Sequence, residues 1–97
     1  MDFKGLLLVP SASAYKELED LVLDLNDVKK ILEQGFDCSK GKRGKDVLER
    51  CLREGNKVLR AVVVKDFNKF FKSDVWVVIH ISKHAWKKEY SEASNRG

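Results

Sequence analysis

No stretch of this chain stays apolar for longer than Leu6 to Pro10, far short of the roughly 20 residues a bilayer-spanning helix needs. A secretory leader is not expected either: Asp2 interrupts any basic start, and no long apolar run follows. Two cysteines, Cys38 and Cys51, and two histidines, His80 and His84, are too few and too scattered for a metal-ligand pattern, so no metal and no cofactor is expected. With no export signal, the cysteines are read as free thiols in a reducing, cytoplasmic compartment. Glutamine occurs once, at Gln34, in a charge-rich chain, a composition that leans towards a thermophilic source. No repeat and no low-complexity segment is visible.

What is present is enough for one folded domain. Of 97 residues, 43% are apolar and 35% charged, which separates the chain from disordered sequences. A single domain over residues 1–93 is expected, with 94–97 as a frayed tail. The net charge of +4 hides an asymmetry: acidic residues dominate up to Asp37, and basic residues dominate from Cys38 onward. A basic half of this kind suits a phosphate backbone or an acidic protein, and equally an ordinary solvated surface.

Periodicity sets the order of elements. Phe3 to Val9 reads as a short strand ended by Pro10. Tyr15, Leu18, Leu21 and Val22 follow helical spacing from about Ala12 to Val22. Asp24 as N-cap with Asp27 at the third helical position, and Leu23 with Val28 as a hydrophobic staple, mark a second helix. Its buried stripe is Val28, Ile31 and Leu32, and Gly35 suits its C-terminal stop. Three strand-like runs follow: 46–53, 57–66 and 74–82. From Lys83 onward Trp86 and Tyr90, four apart, suit a short C-terminal helix. The expected class is therefore α+β, ordered β-α-α-β-β-β, with two short helices on one face of a small antiparallel sheet.

Gly55-Asn56 is a two-residue hairpin signal, and it fixes the pleat. Under that register Leu48, Arg50, Leu52, Leu59, Ala61 and Val63 face the helices. Glu49, Cys51, Arg53, Arg60 and four valines face away. In the third run Val75, Val77, Ile79 and Ile81 should join the core, sending Trp76, Val78, His80 and Ser82 to the open face. Arg50, stranded among leucines, should pair with a carboxylate of the first helix.

The segments "LDLNDVKKILEQG", "KRGKDVLERCL", "KVLRAVVVKD" and "WVVIHISKH", in this order of elements, resemble the RelE/ParE-like toxin superfamily. Within it they are most similar to the uncharacterised DUF4258-type domains. The likeness spans roughly residues 11–84. It implies a small cytoplasmic protein that binds RNA, on or off the ribosome, and cuts it without a metal. It also implies a neutralising antitoxin-like protein partner. The first helix departs from the pattern: "SASAYKELEDL" carries no histidine or arginine where relatives have them. Arg60, His80, Lys83, His84 and Tyr90 lie in the elements that carry the family's working residues.

The residues themselves offer a site on the open face. Arg60 could stabilise a pentacoordinate phosphorane, while Glu49 and His80 orient it and move protons. The bland alternative is a cross-strand ion pair and a structural histidine. Lys42, Arg43 and Lys45 of the "GKRGK" loop, with Arg53, Lys83 and His84, are the candidate nucleic-acid contacts, or else solvated lysines and arginines. Cys51 should lie opposite Arg60 as a small strand filler. "KDFNKFFKSDVW" interleaves lysines with Phe67, Phe70, Phe71 and Trp76; it could stack bases, pack on the core, or join two copies as a homodimer. A binding module without catalysis, on the same scaffold, is the competing reading. No membrane role is expected.

Overall fold

The computed structural model describes residues 1–38 and 46–86. Its elements run β1 (Asp2–Phe3), β2 (Leu6–Pro10), α1 (Ala12–Leu21), α2 (Leu25–Gln34), β3 (Phe36–Asp37), β4 (Val47–Glu54), β5 (Lys57–Asn68) and β6 (Ser73–Ala85). The class is α+β: two helices lie against one sheet of order β1-β2-β6-β5-β4-β3. Every pairing is antiparallel except β2 with β6, which run parallel because the two helices carry the chain back across the sheet. The single strand expected from Phe3 to Val9 is instead broken by a left-handed turn at Lys4-Gly5 (φ 51° and 80°) into β1 and β2, which pair antiparallel. The two-residue β3 has no periodic signal, and β1 and β3 extend the sheet at each edge.

Both helices begin as their sequences dictate. Ser11 caps α1, its hydroxyl accepting the Ala14 N–H at 3.1 Å. At α2 the Asp24 carboxylate accepts the Asp27 N–H at 3.1 Å while Asp27 accepts the Asp24 N–H at 2.9 Å, a complete capping box. Val28, Ile31 and Leu32 are buried as expected, and α1 contributes Ala14 and Leu18. Tyr15 and Val22, assigned to the buried stripe from spacing, are exposed. Val22 instead ends α1 in the left-handed conformation, with φ 57°. At Gly35 the backbone is extended, with φ −81°, so no left-handed turn calls for glycine here. An added Cβ would collide with the carbonyl oxygens of Ile31 and Cys51; glycine lets the end of α2 lie directly on β4.

The β4–β5 hairpin has the register set by the Gly55-Asn56 turn, from Glu54↔Lys57 to Val47↔Val64, with Gly55 at φ 61°. Leu48, Leu52, Leu59, Ala61 and Val63 accordingly face the helices. In β6 the expected phase is wrong for half the strand. Val62 pairs with His80 but Val63 pairs with Val78, leaving Ile79 as an extra bulged residue. Upstream of the bulge, Trp76 and Val78 enter the helix-side core; downstream, Ile81 does. β6 then continues through Lys83 to Ala85, where a helical turn was expected, and Tyr90 lies outside the described residues. Among the described residues no helix is long and apolar enough to cross a membrane.

Candidate functional site

Directly opposed residues share a face, so the registers of β3, β4, β5 and β6 place the second face in rows. One row is Phe36–Cys51–Arg60–Ser82, flanked by Arg53–Val58–His84 and by Glu49–Val62–His80. This face is less open than alternation suggests: Cys51, Val58, Val62, Val75 and Glu49 are all buried. Valine-rich rows exclude water from both sides of the sheet, and the polar groups gather at the hairpin end of β5.

Two cysteines expected as free thiols are joined. Phe36 lies opposite Cys51, and two residues on, Cys38 returns to the same face; Cys38 and Cys51 form a disulfide with Cα atoms 5.7 Å apart. That spacing lies in the usual range for a bridge. Strand β3 also answers the Arg50 question. Arg50 takes Asp37, its direct cross-strand partner, at 2.9 Å, and also donates to the Gly35 carbonyl, rather than reaching a first-helix carboxylate. The guanidinium thus sits at the C-terminal end of α2, where a positive charge suits the helix dipole.

Of the expected catalytic trio, the structure joins two members to each other and gives the third a different partner. Arg60 Nε lies 2.5 Å from Glu49 Oε2, across a diagonal of the β4–β5 pair. The Glu49 side chain is only 5% exposed and that of Arg60 33%, so the arginine reaches outward from a carboxylate sunk in the face. The Nε–H is not aligned for a linear hydrogen bond, and the contact is one of charge with charge. His80 turns to α1, where its Nδ1 is 3.0 Å from Glu17 Oε2. The same carboxylate accepts the Ile81 N–H through Oε1 at 3.2 Å, beyond the point where β2 stops pairing with β6.

The basic candidates separate likewise. Arg53 stacks its guanidinium 4.1 Å from the centre of the Trp86 ring and bonds the Gly55 carbonyl at 3.0 Å. Lys83 pairs in register with Leu59, on the helix side and exposed, away from Arg60. Lys42, Arg43 and Lys45 lie outside the described residues. His84 takes a partner of its own: its Nε2 is 2.8 Å from the Ser82 hydroxyl, and Ser82 is the cross-strand neighbour of Arg60. Sequence reading passed over Ser82. The available signal was its spacing, two residues from His84 on a strand, which puts both side chains on one face.

A guanidinium anchored by a buried carboxylate, beside a hydroxyl–imidazole pair, can hold a phosphate oxygen and exchange a proton next to it. Comparison with family models, curated proteins and solved structures returns no match to this chain.

Proposed function

We propose that the protein is an RNA-binding domain of the RelE/ParE-like kind and that its phosphate site is the second sheet face around Arg60. The observation that carries this reading is the row that sets Arg60 beside Ser82 and its bonded partner His84. Glu49 holds the arginine's Nε edge from below by charge, which leaves the terminal amino groups of the guanidinium to meet a phosphate. The basic excess from Cys38 onward supplies the longer-range attraction.

The chemistry the site can support is attack by a ribose 2′-hydroxyl on the adjacent phosphorus. The His84 imidazole takes the hydroxyl proton, Arg60 stabilises the charge on the phosphorane oxygens, and the 5′-oxygen leaves on gaining a proton from water, to which the imidazolium later returns its own. The products are a 2′,3′-cyclic phosphate and a 5′-hydroxyl end. His80, bound to Glu17, takes no part. A binding module without cleavage is the second reading. It is favoured by that capture of His80 and by the exposure of His84, which leaves the reacting centre poorly shielded from water.

A cytoplasmic location goes with an RNA ligand. The Cys38–Cys51 bridge fits that location in a thermophile, whose intracellular proteins are often disulfide-bonded, and the charge-rich, glutamine-poor composition agrees. An antitoxin-like partner belongs to the same proposal.

The test is RNA binding by fluorescence anisotropy across a salt series, followed by a cleavage assay in chelator with and without ribosomes. Binding that weakens steeply with salt, and falls about tenfold in Arg60→Gln, is expected. Cleavage lost in His84→Ala would establish the reaction. Folded wild-type protein that binds but never cleaves would leave the binding module, and no binding at low salt would remove the RNA reading altogether.

A further inference from the structure

The β5–β6 hairpin outruns the rest of the sheet. Pairing with β4 stops at Val64 and pairing with β2 stops at Val75, so Phe67↔Asp74 and Asn68↔Ser73 form a two-stranded tip with no other strand beside it. Three phenylalanines sit on that tip, and none is in the core: Phe70 is 87% exposed, Phe67 57% and Phe71 47%. Exposed apolar rings grouped in this way bring nothing to folding and mark a contact surface.

The tip is held in shape from within. The Asn68 side chain accepts the Phe71 N–H at 3.0 Å, and Asp66 accepts the Phe67 N–H at 2.9 Å. Lys72, at φ 55°, makes the turn back into β6. Phe70 and Phe71 meet edge to face, 5.2 Å between centres and 89° between planes. Two rings at right angles cannot lie together on one flat apolar partner; each offers its own face. Lys69 and Lys72 stand among the rings, with Asp66 and Asp74 on the strands below and Lys65 paired with Asp46 at 3.7 Å. Lys69 and Lys72 suit the phosphates of a ligand that also carries flat apolar groups.

We propose that this tip is a stacking platform for unpaired RNA bases, with its lysines on the flanking phosphates. The proposal rests on the RNA-binding reading and specifies the form of the ligand: single-stranded, because bases in a duplex keep their faces stacked on one another. Arg60 and Phe67 lie on the same strand, about 23 Å apart at roughly 3.3 Å per residue. Seven residues apart on one strand, the two side chains point to opposite faces, so an RNA that engages both passes round the edge of the sheet.

The experiment compares a single-stranded oligouridylate with a blunt RNA duplex, by anisotropy, using the whole chain and the variants Phe70→Ser and Phe70→Ser/Phe71→Ser. Both rings are outside the core, so unfolding midpoints should not move, and this is checked first. Wild type should prefer the single strand, and each lost ring should weaken that binding about tenfold while leaving duplex binding unchanged. Single-strand affinity that survives in the folded double variant overturns the platform and leaves the Arg60 site standing. Absence of RNA binding by wild type overturns both. A third arm uses vesicles containing phosphatidylserine. Vesicle binding that Phe70→Ser abolishes, with RNA binding unaffected by that change, overturns the proposal in favour of a membrane contact.

Discussion

Glu17 and His80 are joined across the boundary between helix and sheet, with Oε2 of the carboxylate 3.0 Å from Nδ1 of the ring. The other carboxylate oxygen accepts the Ile81 N–H, so one side chain of α1 substitutes for the strand that β6 lacks beyond Val78. An unprotected edge invites pairing with a foreign strand, and a carboxylate on its N–H groups is one way to blunt it. Glu17→Ala should lower stability by about 1 kcal/mol, the usual net worth of such a bond. Glu17→Gln, which can keep the Ile81 bond and loses only the charge, should cost less. Urea unfolding midpoints of the two variants decide the order.

The disulfide makes a larger and separate contribution. It spans 13 residues, and closing a loop of about that size restricts the unfolded chain by about 3 kcal/mol. Cys51→Ser, or reduction of the native protein, should lower the unfolding free energy by roughly 2–3 kcal/mol. Thiol titration of the denatured, unreduced protein should find no free cysteine. Reactive thiols before reduction would show that the bridge does not form in solution.

Two backbone positions respond in opposite directions to similar changes. Val22, 89% exposed, holds a left-handed conformation that disfavours a β-branched side chain, so Val22→Gly should stabilise by about 1 kcal/mol. Gly35→Ala should destabilise by about 2 kcal/mol, because its new methyl group meets the backbone of β4 and of α2's last turn. Thermal melts of the two single variants test both signs at once.

Arg60 has a structural cost attached to its proposed role. Removing it takes one partner from the sunken Glu49 carboxylate, which keeps a further interaction, so Arg60→Ala should lose about 1–2 kcal/mol. The double variant Glu49→Leu/Arg60→Ala should recover part of the loss, as a double-mutant cycle would report. Loss of RNA binding in the recovered double variant would separate the arginine's proposed contact with RNA from its effect on folding.

Local signals carried most of the fold. The Gly55-Asn56 turn set the register of eight pairs in the β4–β5 hairpin, and Asp24 with Asp27 announced α2. Such features depend on residues a few positions apart. Most of the failures involve a partner far along the chain or a break in period; the exposed Tyr15 and the strand in place of a C-terminal helical turn do not. In "VVIHI", Val77, Val78 and Ile79 are equally apolar, so nothing in the sequence says which one bulges out of step. Strand β3 is two residues long and has no period, yet it supplies Arg50 with Asp37 and brings Cys38 to Cys51. The Arg60–Glu49 pair followed from register alone. Its neighbour Ser82 was visible in the same register, while His80 lies on the expected face but pairs with Glu17, which approaches from a helix and leaves no mark in strand register.

The parallel pairing of β2 with β6 bears on how the chain emerges from the ribosome. Leu7 meets Val75, so the first long strand waits for a partner made roughly seventy residues later, and such distant closures slow folding. Until Val75 to Val78 leave the exit tunnel, β2 has no strand neighbour but β1, and Leu8, buried in the finished domain, lacks the β6 side of its surroundings. The helices and the β4–β5 hairpin can form early during synthesis. The domain itself closes only once Val75 to Val78 reach β2, in one late step.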